Sequence, residues 1–376
     1  MTTITHRFDC AVIGAGVMGM SVALPLARAG MRVVLLDRGP ICREASGVNA
    51  GTLTMQMTRA ALIPYALKAW ELWMDTPRWL GLGVGAEQRD GLSVAFTEAE
   101  VLILEARAAA RRAAGAPIVL VDGAKAREIE PGLSDRALMA GHCPIDGFAS
   151  AYLTGRAFRV ALDSAGVTLR ENAAVTGVER IRGGHRILVA DGEPVEATRV
   201  VLAGGVWLEE MAGWFGITLP IKVLINQLAV TERMPPVMQS VLGIASGLLS
   251  LKQYPNGTVL IGGGWQGKGG RHDGRGDAFV PVSLVGNIRL AAFVLPALRR
   301  ARIVRAWLGL EAETADALPV LGPLPGVEDG WIIGSVHSGY TSGPFMGALL
   351  ADAMLGRPLA LPLFPIGRLL TQKDAA

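Results

Sequence analysis

FDCAVIGAGVMGMSVALPLARAGMRVVLLD, from Phe8 to Asp37, is the stretch whose reading decides the fold. Phe8–Ile13 is an apolar run of the kind that forms a buried strand. Gly14, Gly16 and Gly19 follow in G-x-G-x-x-G spacing, the chain turns helical as far as Ala29, and a second apolar strand, Arg32–Leu36, ends in Asp37. Gly14 permits the tight turn out of the strand. Gly16 lets backbone approach a pyrophosphate at the helix N-terminus, where free N–H groups and the helix dipole favour an anion, and Gly19 lets helix pack on strand. Asp37, about 20 residues on, is placed to accept hydrogen bonds from a ribose. The glycine motif alone is weak, but with both strands, the helix and the terminal acid in place it points to a dinucleotide-binding βαβ unit. A membrane span is the competing reading. Arg28, Arg32 and the glycines interrupt the run of about 20 apolar residues that a spanning helix needs. No basic start with a small-residue cleavage site marks a secretory signal. Pro25, inside the helix, removes a hydrogen bond, and a kink is expected there.

A chain of 376 residues suits two domains rather than one small core. Its hydrophobic fraction of 51% and mean hydropathy of +0.37 fit buried parallel strands and hint at a large subunit interface. A net charge of +3 is too small to argue for nucleic acid, and Arg107, Arg111 and Arg112 read as one solvated helix face. Cys10, Cys42 and Cys143 show no paired spacing, so reduced thiols in the cytoplasm are expected. The five histidines lack metal-site spacing, so no catalytic metal is expected.

Beyond Asp37, residues 38–59 read as a loop whose small members, Ser46, Gly47, Asn49, Ala50 and Gly51, suit backbone running against a flat ligand. Residues 63–80 have helical spacing, with Trp70, Trp73 and Trp79 assigned to core or interface. Residues 84–97 read as a hairpin, followed by a helix to Gly115 that opens with the capping box Thr97 and Glu100. A strand and a short helix occupy 117–133, an amphipathic helix 152–165, and strands 167–170, 174–181 and 186–190. A buried strand at 197–205 ends in small residues, where a cofactor would lie. A strand at 222–232 precedes a hairpin, 248–254 with 258–265, turned by Pro255-Asn256-Gly257. Residues 262–276 read as a mobile glycine-rich loop, 282–297 as a helix, 302–309 and 331–335 as strands. The loop VHSGYTSG then leads to a helix from Pro344 to Leu355, with Pro344 in its first turn. In this order the two domains interleave.

The Gly14–Asp37 unit, the Ser46–Gly51 loop, the Val200–Gly205 strand end and the tail ALPVLGPLPGVEDGWIIGSVHSGYTSGPFMGALLADAMLG together resemble the D-amino-acid oxidase (DAO) family of FAD-dependent amine oxidoreductases. ASGVNAG, HSGYTSGPFMG and LPLFPIGRLL further resemble the β subunits of heteromeric opine (octopine or nopaline) oxidases and proline or hydroxyproline dehydrogenases. The resemblance implies an α/β fold. A Rossmann-like FAD-binding domain of the glutathione-reductase type (1–83, 144–221 and 303–376) would interleave with a mixed, largely antiparallel β-sheet substrate and interface domain (84–143 and 222–302).

The resemblance implies FAD as cofactor, with Gly14, Gly16, Val17, Met18 and Gly19 at the pyrophosphate and Asp37 and Arg38 at the adenosine. Ser46, Asn49, Ala50 and Gly51 would pass the ribityl chain and flavin ring, Val175 would hold the adenine edge, and Ala203, Gly204 and Trp207 would lie beside the pyrophosphate and ribityl chain. Gly309, His337, Ser338, Gly339, Tyr340 and Thr341 would close over the flavin. His337 and Tyr340 are the catalytic candidates; Arg59, Gln253, Tyr254, Trp265, Arg305 and Glu311 are the substrate candidates. Amino-acid oxidases of this family often carry an arginine after the W-x-G-L strand to hold the substrate carboxylate. This chain reads Trp307-Leu308-Gly309-Leu310-Glu311, which puts that clamp in doubt. The implied reaction is hydride transfer from the α-carbon of an N-substituted amino acid (opine, proline-like or glycine-like) to flavin N5, without a Ser/His/Asp triad.

The implied partners are an α subunit, and a small γ subunit in some assemblies, with FMN and an iron–sulfur cluster in or shared with them. A self-contained amino-acid oxidase making hydrogen peroxide and a non-catalytic flavin-bearing assembly subunit remain open. An NAD-linked dehydrogenase leaves the tail and the Asn49 loop without a role.

Overall fold

In a computed structural model, which describes residues 7–247, 249–269 and 278–370, β1 (Phe8–Ile13) runs through the glycine turn into α1 (Val17–Arg28) and returns as β2 (Val33–Leu36). The expected loop is partly ordered into α2 (Ala45–Val48) and β3 (Thr52–Leu53). The expected single helix is broken at Asp75, before Pro77, into α3 (Ile63–Met74) and α4 (Thr76–Leu80). β4 (Glu87–Ala95) and α5 (Glu98–Ala113) follow, the latter with the expected Thr97–Glu100 capping box. Then come β5 (Val119–Asp122), α6 (Gly123–Ile129), β6 (Met139–Phe148), α7 (Ala151–Ser164), β7 (Thr168–Arg170), β8 (Val175–Ile181), β9 (Gly184–Val189) and β10 (Val195–Leu202). α8 (Leu208–Gly213), β11 (Lys222–Arg233), β12 (Val241–Ile244), β13 (Leu249–Gln253), β14 (Thr258–Gly263) and α9 (Pro281–Val294) lead to β15 (Ile303–Glu313), β16 (Val320–Pro323), β17 (Gly330–Gly334) and α10 (Gly339–Met354). Residues 270–276 of the expected mobile loop lie outside the described residues.

Two sheets organise these elements. The first has the order β16-β17-β10-β1-β2-β7, with β8 and β9 added as a hairpin on β10. β17, β10, β1, β2 and β7 pair in parallel, as apolar strands covered by helices should. The second sheet has the order β15-β11-β14-β13-β12-β4-β6-β3 and is largely antiparallel. Its pairings cross the expected segment boundaries: β3 and β15, both in segments assigned to the cofactor domain, hydrogen-bond here.

Three sequence expectations need correction. The hairpin expected at 84–97 is the single strand β4, whose antiparallel partner is β6, a strand the sequence reading missed. Pro144 disguises β6, because proline argues against a central strand. It sits at the register shift opposite Arg89–Gly91, where no ladder donor is needed. Second, α10 starts five residues before Pro344, so that proline is inside the helix. It leaves the Tyr340 carbonyl without its helical N–H, and the Trp73 indole N–H donates there at 3.2 Å and to the Thr341 carbonyl at 2.9 Å. Third, the basic face of α5 is not simply solvated. Arg107 donates to the Ala245 carbonyl at 2.6 Å and Arg111 to that of Thr58 at 2.8 Å.

α10 packs against α1 at glycine contacts. A Cβ on Gly347 would lie 2.4 Å from the Ser21 Cβ and 2.7 Å from the Ser21 carbonyl carbon. Gly347→Val is therefore expected to cost about 1–3 kcal/mol through overpacking, read as a lower urea midpoint at an unchanged denaturant slope.

Candidate active site

The carboxyl ends of β1, β2, β10 and β17 face one side of an elongated crevice of about 480 Å³, and β11, β13, β14 and β15 cover the other. At one end Gly14, Gly16, Val17 and Met18 line it. Gly14 has φ +115°, and a Cβ there would lie 2.4 Å from the Ala203 carbonyl oxygen. Gly19 lies under the turn rather than in the crevice; its Cβ would meet the Gly14 oxygen at 1.9 Å. α1 has no side-chain cap from its own N-cap residue. Instead Ser46 reaches across from α2, its Oγ accepting the Val17 N–H at 2.9 Å.

Asp37 Oδ2 accepts the Ala15 N–H at 2.7 Å and Oδ1 the Gly39 N–H at 2.9 Å, so the acid also holds the turn together. Burial raises its carboxyl pKa, against the pull of those N–H groups. The Arg38 guanidinium lies 3.6 Å over the Trp207 ring. Both residues line the crevice, as do Val175, Ala203 and Gly204.

Midway, Ala50 lines the crevice and Asn49 stitches its loop: Nδ2 donates to the Ala45 and Ser46 carbonyls at 3.0 and 2.7 Å, and Oδ1 accepts the Gly51 N–H at 2.6 Å. Gly51, at φ +67°, is outside the lining; its Cβ would meet the Ala149 oxygen at 2.2 Å. The Trp307 indole N–H fixes the same loop to β15 through the Val48 carbonyl, at 2.7 Å. Gly309, Ser338, Gly339 and Thr341 line the remaining wall.

At the far end stands a half-buried charge chain. His337 Nδ1 bonds Glu311 Oε1, and the Asn226 amide donates to Glu311 Oε2 at 2.7 Å. Burial pushes the Glu311 pKa up, but the hydrogen bond and charge of His337, with the Asn226 bond, bring it below the usual value. Burial pushes His337 down, and Glu311 more than reverses that, so its pKa is raised. Each partner thus favours the charged form of the other.

Tyr340 also lines the crevice, but its hydroxyl is held by Thr154 Oγ1 at 2.7 Å, and burial raises its pKa well above the usual phenol value. Of the substrate candidates, only Glu311 lines the crevice. Arg59 is bound to Glu313 at 2.8 Å. Gln253 is used by the Val237 N–H and the Pro235 carbonyl, each at 2.8 Å. Tyr254 sits behind the loop, donating to the Ala50 carbonyl at 3.2 Å. Trp265 is half exposed against Gly286. Arg305 is exposed, 5.6 Å from the Trp307 ring centroid.

Sequence reasoning missed Asn226, Ser335 and Lys252. Ser335 lines the crevice at φ +59° with its buried hydroxyl unpartnered. Lys252 is fully buried and donates to the Ala50 carbonyl at 2.8 Å, to Ser250 Oγ at 2.9 Å and to Thr52 Oγ1. The lysine inside the strand LSLKQ, Leu249–Gln253, was the available signal.

A glycine-turn βαβ unit that opens onto a long crevice between a parallel and an antiparallel sheet defines a dinucleotide-dependent enzyme. The DAO model, described as FAD-dependent oxidoreductase, matches residues 9–353, and the chain belongs to that family. It is 29% identical over 372 residues to glycine oxidase of Geobacillus kaustophilus (strain HTA426), covering 96% of this chain and 97% of that one. It is 26% identical over 347 residues to the B subunit of opine oxidase from Rhizobium meliloti, covering 89% and 90%. The crystal structure of Geobacillus kaustophilus glycine oxidase superposes with a TM-score of 0.87 at 27% identity, covering 98% and 99%. The cofactor is FAD, and the site fits it: the Gly14 turn leaves no room for a side chain, so backbone lines the crevice there.

Burial lowers the Lys252 pKa to about 7 from the ordinary 10.5. Between those values the unfolded chain holds a proton that the folded chain lacks, so this group makes stability rise with pH. The slope reaches about 1.4 kcal/mol per pH unit and is lost below the folded value. Lys252→Met is expected to flatten the pH dependence of the unfolding free energy across that window; equal slopes in the two proteins would contradict it.

Proposed function

We propose that this chain oxidises an N-substituted amino acid of opine, proline-like or glycine-like type to an imine, as the catalytic β subunit of a heteromeric dehydrogenase. The observation that carries the reading is the single crevice joining the glycine turn to the Glu311–His337 pair. The names of the relatives, glycine oxidase and an opine oxidase B subunit, support the substrate class, and the second supports the role within a larger assembly. FAD, when bound, supplies the two-electron acceptor for the carbon next to nitrogen.

The backbone of Gly14–Met18 would hold the diphosphate, Asp37 the ribose and Val175 the adenine edge. Ala50, Gly309, Ser338, Gly339 and Thr341 would pack on the ring system. The apolar wall of Leu228, Leu249 and Leu310 excludes water from the reacting carbon. The amine binds as the free base, so no strong protein base is required. Three buried free thiols suit a reducing cytoplasm. Among the described residues no helix is long and apolar enough to cross a membrane.

Match over almost the full length of glycine oxidase favours a second reading, a self-contained oxidase. Anaerobic titration decides activity: the yellow protein is expected to bleach with an opine, proline or glycine analogue, and failure with all three classes points to a non-catalytic role. Slow reoxidation by oxygen with fast reoxidation by an artificial acceptor supports the dehydrogenase; rapid peroxide formation supports the oxidase. In Gly16→Val, whose Cβ position is already 3.2 Å from Ser46 Oγ, bound flavin is expected to be lost, and a yellow variant contradicts the pyrophosphate assignment.

A further inference from the structure

The substrate end of the crevice has an electrostatic peculiarity. Among the described residues, its only arginines are Arg38 and Arg43, both on the βαβ side, and no lysine lines it. Arg59 is engaged by Glu313, and Arg305 is outside. An amino-acid substrate nevertheless brings a carboxylate, and a buried carboxylate needs a cation or several N–H donors.

The second observation is the wiring of His337. Its side chain and that of Glu311 are 21% and 19% exposed. Glu311 uses one oxygen on His337 Nδ1 and the other on the Asn226 amide, so both are already engaged. Asn226 is fixed by pairing opposite Gly309, and Glu311 lies two residues along the same strand, opposite Leu224. With Nδ1 engaged, the remaining ring nitrogen, Nε2, has no protein partner among the described residues, and the residue lines the crevice. An imidazolium whose far N–H is held by a carboxylate donates from the near nitrogen; the neutral ring, with its one proton on Nδ1, would only accept there.

Resting on the reading of the site as one for amino-acid oxidation, the geometry points to His337 Nε2 as the donor that recognises the substrate carboxylate, with Glu311 and Asn226 as positioning residues. The pair does the work of an arginine clamp with a titratable cation. The groups that set its charge are Glu311 and Glu313 on β15, which favour it, and Arg59, which opposes it; Lys222 on β11 faces Glu313 at 3.5 Å. Because Glu311 raises the imidazole pKa, carboxylate binding holds below that raised value and fades as pH rises through it.

The test is calorimetric titration of the flavin-bearing protein with acetate and with its uncharged counterpart acetamide, from about pH 5 to about pH 9. In the wild-type protein acetate affinity is expected to fall about tenfold per pH unit on the alkaline side, while acetamide affinity stays flat. Glu311→Gln moves the fall to lower pH. His337→Ala weakens acetate by about 10- to 100-fold and removes its pH dependence. His337→Arg, permanently charged, restores acetate binding and extends it to alkaline pH. Flavin content and unfolding midpoint report whether each variant has folded. No acetate binding by the wild-type protein, or a wild-type pH profile in His337→Ala, overturns the assignment. A protein that shows the expected acetate profile but is bleached by no amine overturns the proposed function alone; one bleached by an amino acid with acetate binding intact in His337→Ala overturns this inference alone.

Discussion

The structure depends on one close approach, of backbone to backbone, where β1 leaves the sheet. Gly14 passes so near Ala203 at the end of β10 that a Cβ would fall 2.4 Å from its oxygen, and Gly19 passes closer still to Gly14. This contact brings the first turn of α1 to the end of the parallel sheet. The same turn is held from two sides by side chains remote in sequence, Asp37 on the Ala15 N–H and Ser46 on the Val17 N–H. A group that reads as a ligand-binding acid thus also stabilises the turn that the ligand would occupy. Folding of the turn and competence of the site are therefore coupled through one carboxylate.

The far wall of the crevice is fixed by a comparable device. Pro344 removes a helical N–H from the turn of α10 facing the crevice, and the Trp73 indole replaces it, stacking on Tyr340 with centroids 4.6 Å apart. α3 is thereby tied to the helix that follows the His337 loop. Ser338 and Ser335, both at positive φ, bracket that histidine. Positive φ in non-glycine residues is retained where surrounding contacts over-determine it, and between and beside these two serines His337 is tied to β15 and Tyr340 to α3.

The first sheet was legible because its signals are local: apolar runs, glycine spacing and Asp37 at the second strand's end. The Pro255-Asn256-Gly257 turn marked the other sheet in the same local way. What escaped was non-local. β6 carries Pro144 and is a strand only by virtue of pairing with β4, some fifty residues earlier in the chain, and with β5 and β3. The start of α10 is hidden because Pro344 looks like a first-turn residue, and only the distant Trp73 supplies the hydrogen bond it removes. In the crevice, most cofactor-side candidates fall on the lining because they follow strand ends. Most substrate-side candidates do not; for Gln253 the reason is that alternation along β13 says which residues share a face but not which face looks inward. Lys252, not Gln253, faces the Ala50 loop.

The acids on β15 show why the position after Trp307-Leu308-Gly309-Leu310 matters beyond one missing arginine. Glu311 and Glu313 are two residues apart and so share a face of the strand. Each buried or half-buried carboxylate needs its own compensation. Glu311 receives His337 and Asn226; Glu313 receives Arg59 at 2.8 Å and Lys222 at 3.5 Å. Arg59, the nearest guanidinium, is thus already committed, and moving it toward a ligand would leave Glu313 with only the exposed Lys222. Among the described residues, His337 is thus the one group lining this end of the crevice that can carry positive charge, and Glu311 raises the pH up to which it does so.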